Sequence, residues 1–177
     1  MTDSGETSLG EIKSIVSSEH LSKNHVSSLS EVEFGLIIAG SAFNRWMVHC
    51  MSAAGVDDLG GLDVLVLHTV NHRKKPKKLA DICLVLHIED TYTATYAIKK
   101  LEKQKLVSSA KKGKEKYIEI TQKGADMCDK YRQVREACLL PSMDATGKSN
   151  EELADIAATL RVLSGLYDQA ARSAASL

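Results

Sequence analysis

The stretch Thr91-Tyr92-Thr93-Ala94-Thr95-Tyr96-Ala97-Ile98-Lys99-Lys100-Leu101-Glu102-Lys103-Gln104 decides the fold. At about 100° per residue, Ala94, Ala97, Ile98 and Leu101 gather on one side of a helix, continued by Lys105. Tyr92, Tyr96, Lys99 and Lys103 fall opposite, with Thr95 at their edge. One side is small and aliphatic and fit for packing. The other carries phenols, hydroxyls and ammonium groups. Asp90 stands where an N-cap belongs, so the pattern predicts a helix over 91–104.

Outward from this helix the order of elements is distinctive. Upstream, a helix over 62–70 with Leu62, Leu65, Val66 and Thr69 on one face is followed by the basic loop Asn71-His72-Arg73-Lys74-Lys75-Pro76. A short helix over 78–86 and the tight turn His87-Ile88-Glu89 come next. Downstream lie two β-favouring runs, 106–108 and 116–120, joined by a lysine-rich tip over 109–115 in which Gly113 can take positive φ. Helix, helix, turn, helix, hairpin is a winged helix-turn-helix, a mainly α fold with a small β-wing.

A helix that enters a major groove needs one packed face and one face reaching phosphates and base edges. The segment 91–104 has both. Lys99, Lys100 and Lys103, with Lys111, Lys112 and Lys114 of the wing, are candidate phosphate contacts. The hydroxyls of Thr91, Thr93 and Thr95 are candidates for phosphate oxygens, and Tyr92 and Tyr96 for base edges or thymine methyls. Six lysines on phosphates imply a log–log salt slope of about −5.

Charge distribution agrees. The 177 residues have zero formal net charge, yet residues 73–123 carry 14 basic and 6 acidic side chains, against 3 and 9 in residues 1–72. A basic centre between acidic arms points to an anionic partner, double-stranded DNA first. With 44% hydrophobic and 26% charged residues the composition is globular. No run is long and apolar enough for a membrane span, and residues 1–10 lack the features of a signal peptide, so a cytoplasmic protein is expected. Cys50, Cys83, Cys128 and Cys138 form no CxxC pair and read as reduced thiols.

The flanks have their own patterns. Residues 1–30 are read as a tail or a short helix. Ser30 is read as the cap of an apolar helix over 32–51, inside a dimerisation segment 31–56. Thr121 caps a long helix reaching about Leu140, and Pro141 to Ser149 reads as a loop. A final helix from Asn150 repeats Leu153, Ile156, Leu160, Leu163, Tyr167 and Ala170 at a/d spacing. The DNA-binding lobe is placed at 61–123 and the C-terminal dimerisation helices at 124–177.

Leu79-Ala80-Asp81-Ile82, then Thr93 to Val107, then Ile118-Glu119-Ile120-Thr121-Gln122-Lys123-Gly124 resemble the MarR family of bacterial transcription regulators, over roughly residues 31–172. Within that family the resemblance extends to an L,D-transpeptidase-regulator branch. The resemblance implies a homodimer with intertwined terminal helices, a palindromic DNA operator and, often, a small-molecule effector. It also implies an effector pocket between the dimer helix and the DNA-binding lobe, for which Phe43, Trp46, Met47, Cys50 and His68 are candidates, with Arg45 as an anion partner. Two departures stand out. Lys111-Lys112-Gly113-Lys114-Glu115 lacks the family's aspartate–arginine pair at the wing, and Gln104-Lys105 replaces the small residue or glycine before Leu106.

Other readings are weaker. His68 and His72 stand at i and i+4, but zinc needs further ligands, and no metal is assigned. A cysteine redox switch requires an exposed thiol of lowered pKa. Gly147-Lys148-Ser149 ends like a phosphate-binding loop, but Ser142 occupies the first glycine position and no strand precedes it. No catalytic motif emerges, and neither an enzyme nor a cofactor is expected. A redox-sensing regulator and a winged-helix module that binds a protein partner remain the alternatives.

Overall fold

The computed structural model describes residues 27–113 and 115–177. The expected tail or helix over residues 1–26 and the wing residue Lys114 lie outside the described residues, as does the side chain of Lys112. The elements are α1 (Ser27–Ala53), α2 (Gly61–Asn71), β1 (Lys77–Lys78), α3 (Leu79–Val85), α4 (Thr91–Lys103), β2 (Val107–Lys112), β3 (Glu115–Ile120), α5 (Gln122–Cys138), α6 (Leu140–Asp144) and α7 (Asn150–Ala174). The three strands form an antiparallel sheet in the order β1-β3-β2.

One core joins the end of α1 to the winged lobe. Met51, Leu67, Ile82, Leu101, Leu106 and Ile118 are fully buried and come from five different elements and the turn after α4. Burial of this apolar surface drives the assembly. Because α2 lies at the centre, its burial departs from the single face read from sequence. Asp63, Val64, Val66, Leu67 and Val70 are buried, while Leu62 and Leu65 are half-buried. Contact with α1, α4, α5 and β3 surrounds the helix, so no one-sided pattern is required of it.

Local chemistry explains several boundaries. Asp90 accepts the Tyr92 N–H at 2.9 Å and caps α4. Thr121 accepts the Gly124 N–H at 3.0 Å and caps α5. Ser149, one residue before the expected start, caps α7 in a box with Glu152. Ser30 is corrected: it lies buried inside α1 and caps nothing. Strand β1 was not legible, since two lysines give no β signal; pairing with Tyr117 and Ile118 creates it. The wing strands are longer than expected, with Val107 to Lys112 facing Glu115 to Ile120, so most of the expected 109–115 tip is strand. Part of the expected 141–149 loop is helical as α6, with Pro141 in its first turn, where a missing N–H costs little.

The end of α4 resolves the Gln104-Lys105 departure. Leu106 N–H bonds Leu101 C=O at 2.9 Å and Lys105 N–H bonds Glu102 C=O at 2.9 Å, a Schellman ending with lysine at the position that favours glycine. Lys105 has φ +61° there. A left-handed conformation costs a residue with Cβ about 1 kcal/mol relative to glycine. Lys105→Gly is therefore expected to raise stability by about 1 kcal/mol, read as a higher urea midpoint; an unchanged midpoint would show that Lys105 carries no strain.

Candidate nucleic-acid interface

Helix α4 presents the two faces its sequence requires. Ala94, Ala97, Ile98 and Leu101 are buried. Tyr92 is 83% and Tyr96 71% exposed, and Thr91, Thr93, Lys99 and Lys103 are exposed beside them. Two large aromatic side chains exposed side by side form a patch of the kind that marks an interaction surface, whereas either one alone would be ordinary. Here they border an open cavity of about 640 Å³ lined by Leu62, Asp63, Tyr92, Thr93, Thr95, Tyr96 and Lys99. The contribution of Leu62 and Asp63 was not foreseen, because they reach the face of α4 only through the α2–α4 contact.

Not every candidate is equally available. Lys100 is turned to α2, where its Nζ lies 2.9 Å from Asp63 Oδ2. The Thr93 hydroxyl donates to Asp90 C=O at 2.7 Å and the Thr95 hydroxyl to Thr91 C=O at 2.9 Å, so both protons are used within the helix. Lys99, Lys103 and Lys111, by contrast, pair with no carboxylate among the described residues.

The wing is braced near its tip and along its side. Lys78 Nζ lies 2.8 Å from Glu115, which holds the Glu115 carboxyl below its usual range and the Lys78 ammonium above its own. Lys116 is 3.4 Å from Glu102, which also accepts from the Ser109 hydroxyl. These contacts tie the hairpin to β1 and α4 and leave Lys111 on its exposed surface.

The residues expected around an effector are scattered between core and surface. Met47 and Cys50 are buried in the core, Trp46 is half-buried, and Phe43 and Arg45 are exposed on α1. His68 packs edge-on to Tyr131 with ring centroids 4.6 Å apart, and burial lowers its pKa from 6.5. Neither the cavity above nor the cleft described below is lined by any of the six. His72 lies beyond α2 in an exposed 3₁₀ turn, away from the packed His68 ring. That cleft, of about 410 Å³, lies between α3, the following turn and Asp168 of α7. His87 Nδ1 is 3.5 Å from Asp168 Oδ2 across it.

The thiols divide by burial. Cys50, Cys83 and Cys128 are buried and Cys138 is exposed. Desolvation raises the Cys50 thiol, which also donates to Tyr131 C=O at 3.5 Å, and pushes Cys128 up to about 11. A buried thiol of raised pKa is a poor nucleophile near neutrality. In the folded protein at pH 8, a disulfide reagent is expected to titrate one thiol per chain rapidly, Cys138, and the other three only after unfolding. Rapid reaction of a second thiol would overturn this assignment.

Residues 59–124 match the family model described as a winged helix DNA-binding domain. No curated protein matches the sequence. Solved structures do match. They include MarR of Staphylococcus aureus in complex with salicylate and kanamycin, with TM-score 0.64 and 15% identity over 81% of this chain and 95% of that one. The fold is that of the MarR regulators. Two further MarR-type folds carry the same comparison. CouR from Rhodococcus jostii RHA1, bound to p-coumaroyl-CoA, has TM-score 0.62 and 15% identity over 75% of this chain and 90% of its own. Overoxidised AbfR bound to DNA has TM-score 0.61 and 17% identity over 79% and 95%. In this fold α4 is the second helix of the helix-turn-helix, and β2–β3 is the hairpin that follows it. Among the described residues no helix is long and apolar enough to cross a membrane.

Proposed function

We propose that the chain works as a cytoplasmic, homodimeric transcription regulator of the MarR type that binds a palindromic operator. Helix α4 lies in the major groove and the wing tip follows the adjacent groove. The observation that carries this reading is the outward face of α4: two tyrosines standing in water beside cations with no carboxylate partner among the described residues, on a helix whose other side is fully packed. Tyr92 and Tyr96 reach base edges. Thr91, Lys99 and Lys103, with Lys111, Lys112 and Lys114 of the wing, reach phosphates. Thr93 and Thr95 contribute only once their hydroxyls leave Asp90 and Thr91.

A dimer is supported by α7, a 25-residue helix with no buried residue in the single chain. Regulation by a small effector is supported by the ligand-bound neighbours. The cleft bridged by His87 and Asp168 is the better location for it than the residues on α1, because Met47 and Cys50 are already core.

The test is selection of genomic fragments by the purified chain, followed by affinity measurements with Tyr96→Ala and Lys99→Ala. Tyr96→Ala is expected to weaken specific binding about 10-fold or more. Lys99→Ala should weaken binding to all sequences alike and make the salt slope shallower by about 0.9 per chain. Unchanged affinity in both variants would reject α4 as the recognition helix. Binding of a protein instead, with weak dependence on salt, would favour the rival reading as a protein-interaction module.

A further inference from the structure

Lys100 sits in the middle of a helix otherwise rich in outward cations, yet it does not serve that face. Its ammonium lies 2.9 Å from Asp63 Oδ2, and Asp63, at 7% exposure, is among the most buried polar residues of the core. The same carboxylate oxygen accepts the Gly60 N–H at 2.8 Å and so closes the first turn of α2. Four residues on, Gln104 Nε2 donates to Asp57 C=O at 3.0 Å, joining the end of α4 to the loop before α2. Two polar links, one helical turn apart, thus fix how α4 is rotated on α2. Asp63 also lines the cavity that opens onto Tyr92, Tyr96 and Lys99. Without its cation it would place an uncompensated negative charge beside the surface that faces phosphate.

We propose that Lys100 is a positioning residue rather than a phosphate contact: with Asp63 it sets the rotation of the recognition helix and neutralises the wall of the groove beside it. The inference rests on the reading of α4 as the DNA-binding helix. A buried carboxylate whose half-buried cation is removed is left uncompensated, whereas joint replacement by neutral groups is far better tolerated, and asparagine retains an oxygen for the Gly60 N–H. A phosphate contact behaves differently, since each one lost removes about 0.9 from the salt slope.

The experiment compares the full-length parent, Lys100→Met, Asp63→Asn/Lys100→Met and, as a phosphate-contact control, Lys99→Met. Affinity is measured against salt on a genomic fragment selected by the parent and on a random duplex of equal length, below the melting temperature of each variant. Lys100→Met is expected to lose about tenfold in affinity for the selected fragment, to lose less on the random duplex, and to keep the parent's salt slope. The double variant regains most of the lost preference with the slope still unchanged. Lys99→Met loses slope and weakens on both duplexes. A shallower slope for either Lys100 variant, or no recovery in the double, overturns the inference while leaving the DNA reading intact. Where Lys100→Met alone does not fold, the slope and preference of the double variant decide. A parent that selects no DNA overturns both.

Discussion

Gly124→Ala is expected to lower stability by about 3 kcal/mol. A Cβ at Gly124 would lie 2.0 Å from Leu106 C=O oxygen, 3.0 Å from its carbon and 2.7 Å from Ile120 Cδ1. The oxygen belongs to backbone that cannot swing aside, because it accepts the Thr121 N–H at 3.1 Å and the Thr121 hydroxyl at 2.9 Å. To admit the methyl, α5 must lift away from the point where α4 ends and the wing begins. That movement breaks the Thr121 bonds and leaves Leu106 C=O without its partners. Each unsatisfied buried group costs about 1–3 kcal/mol. Urea unfolding of parent and variant measures the loss; a midpoint shift worth under about 1 kcal/mol would show that α5 is not seated as described.

Leu160→Asp/Leu163→Asp is expected to weaken dimerisation at least about 100-fold. In the single chain α7 has no fully buried residue: Ile156 and Leu160 are 50% and 44% exposed and Leu163 is half-buried. Ile37 and Phe43 of α1 are exposed as well, at 66% and 55%. A polar side-chain link between α1 and α7 joins the Tyr167 hydroxyl, as donor, to Glu33 at 3.3 Å. A helix with an apolar seam gains its stability from burying that seam, not from propensity. Burial of one leucine contributes about 1.5–3 kcal/mol, so two aspartates in each of two seams remove several times the energy that a 100-fold change represents. Light scattering and sedimentation across micromolar concentrations provide the measurement. A parent that is a stable folded monomer, or a variant that stays dimeric, would sink the seam.

Much of the candidate interface was legible because it is encoded locally. The 3.6-residue period of Ala94, Ala97, Ile98 and Leu101 determines which side packs, and therefore which side carries Tyr92, Tyr96 and Lys99. Asp90 and Thr121 announce helix starts through bonds to their own next residues. Spacing fails where neighbours in space are distant in sequence. Nothing near Lys100 announces Asp63, and a lysine within a basic run reads as solvated. The buried cysteine and methionine of α1 carry the same pattern whether they line a pocket or fill a core.

Sequence by itself determined the order of the lobe's helices and wing hairpin, the two faces of α4, the caps of α4 and α5 and the concentration of positive charge between 73 and 123. Each of these depends on a residue and its neighbours within about one helical turn. Tertiary structure alone decided that Lys100 is tied inward, that α2 is buried almost all round, that Lys77 and Lys78 form a strand, and that Gly124 admits no side chain. Those outcomes depend on which remote surface arrives at van der Waals distance, and close packing, unlike periodicity, leaves no local signature in a chain.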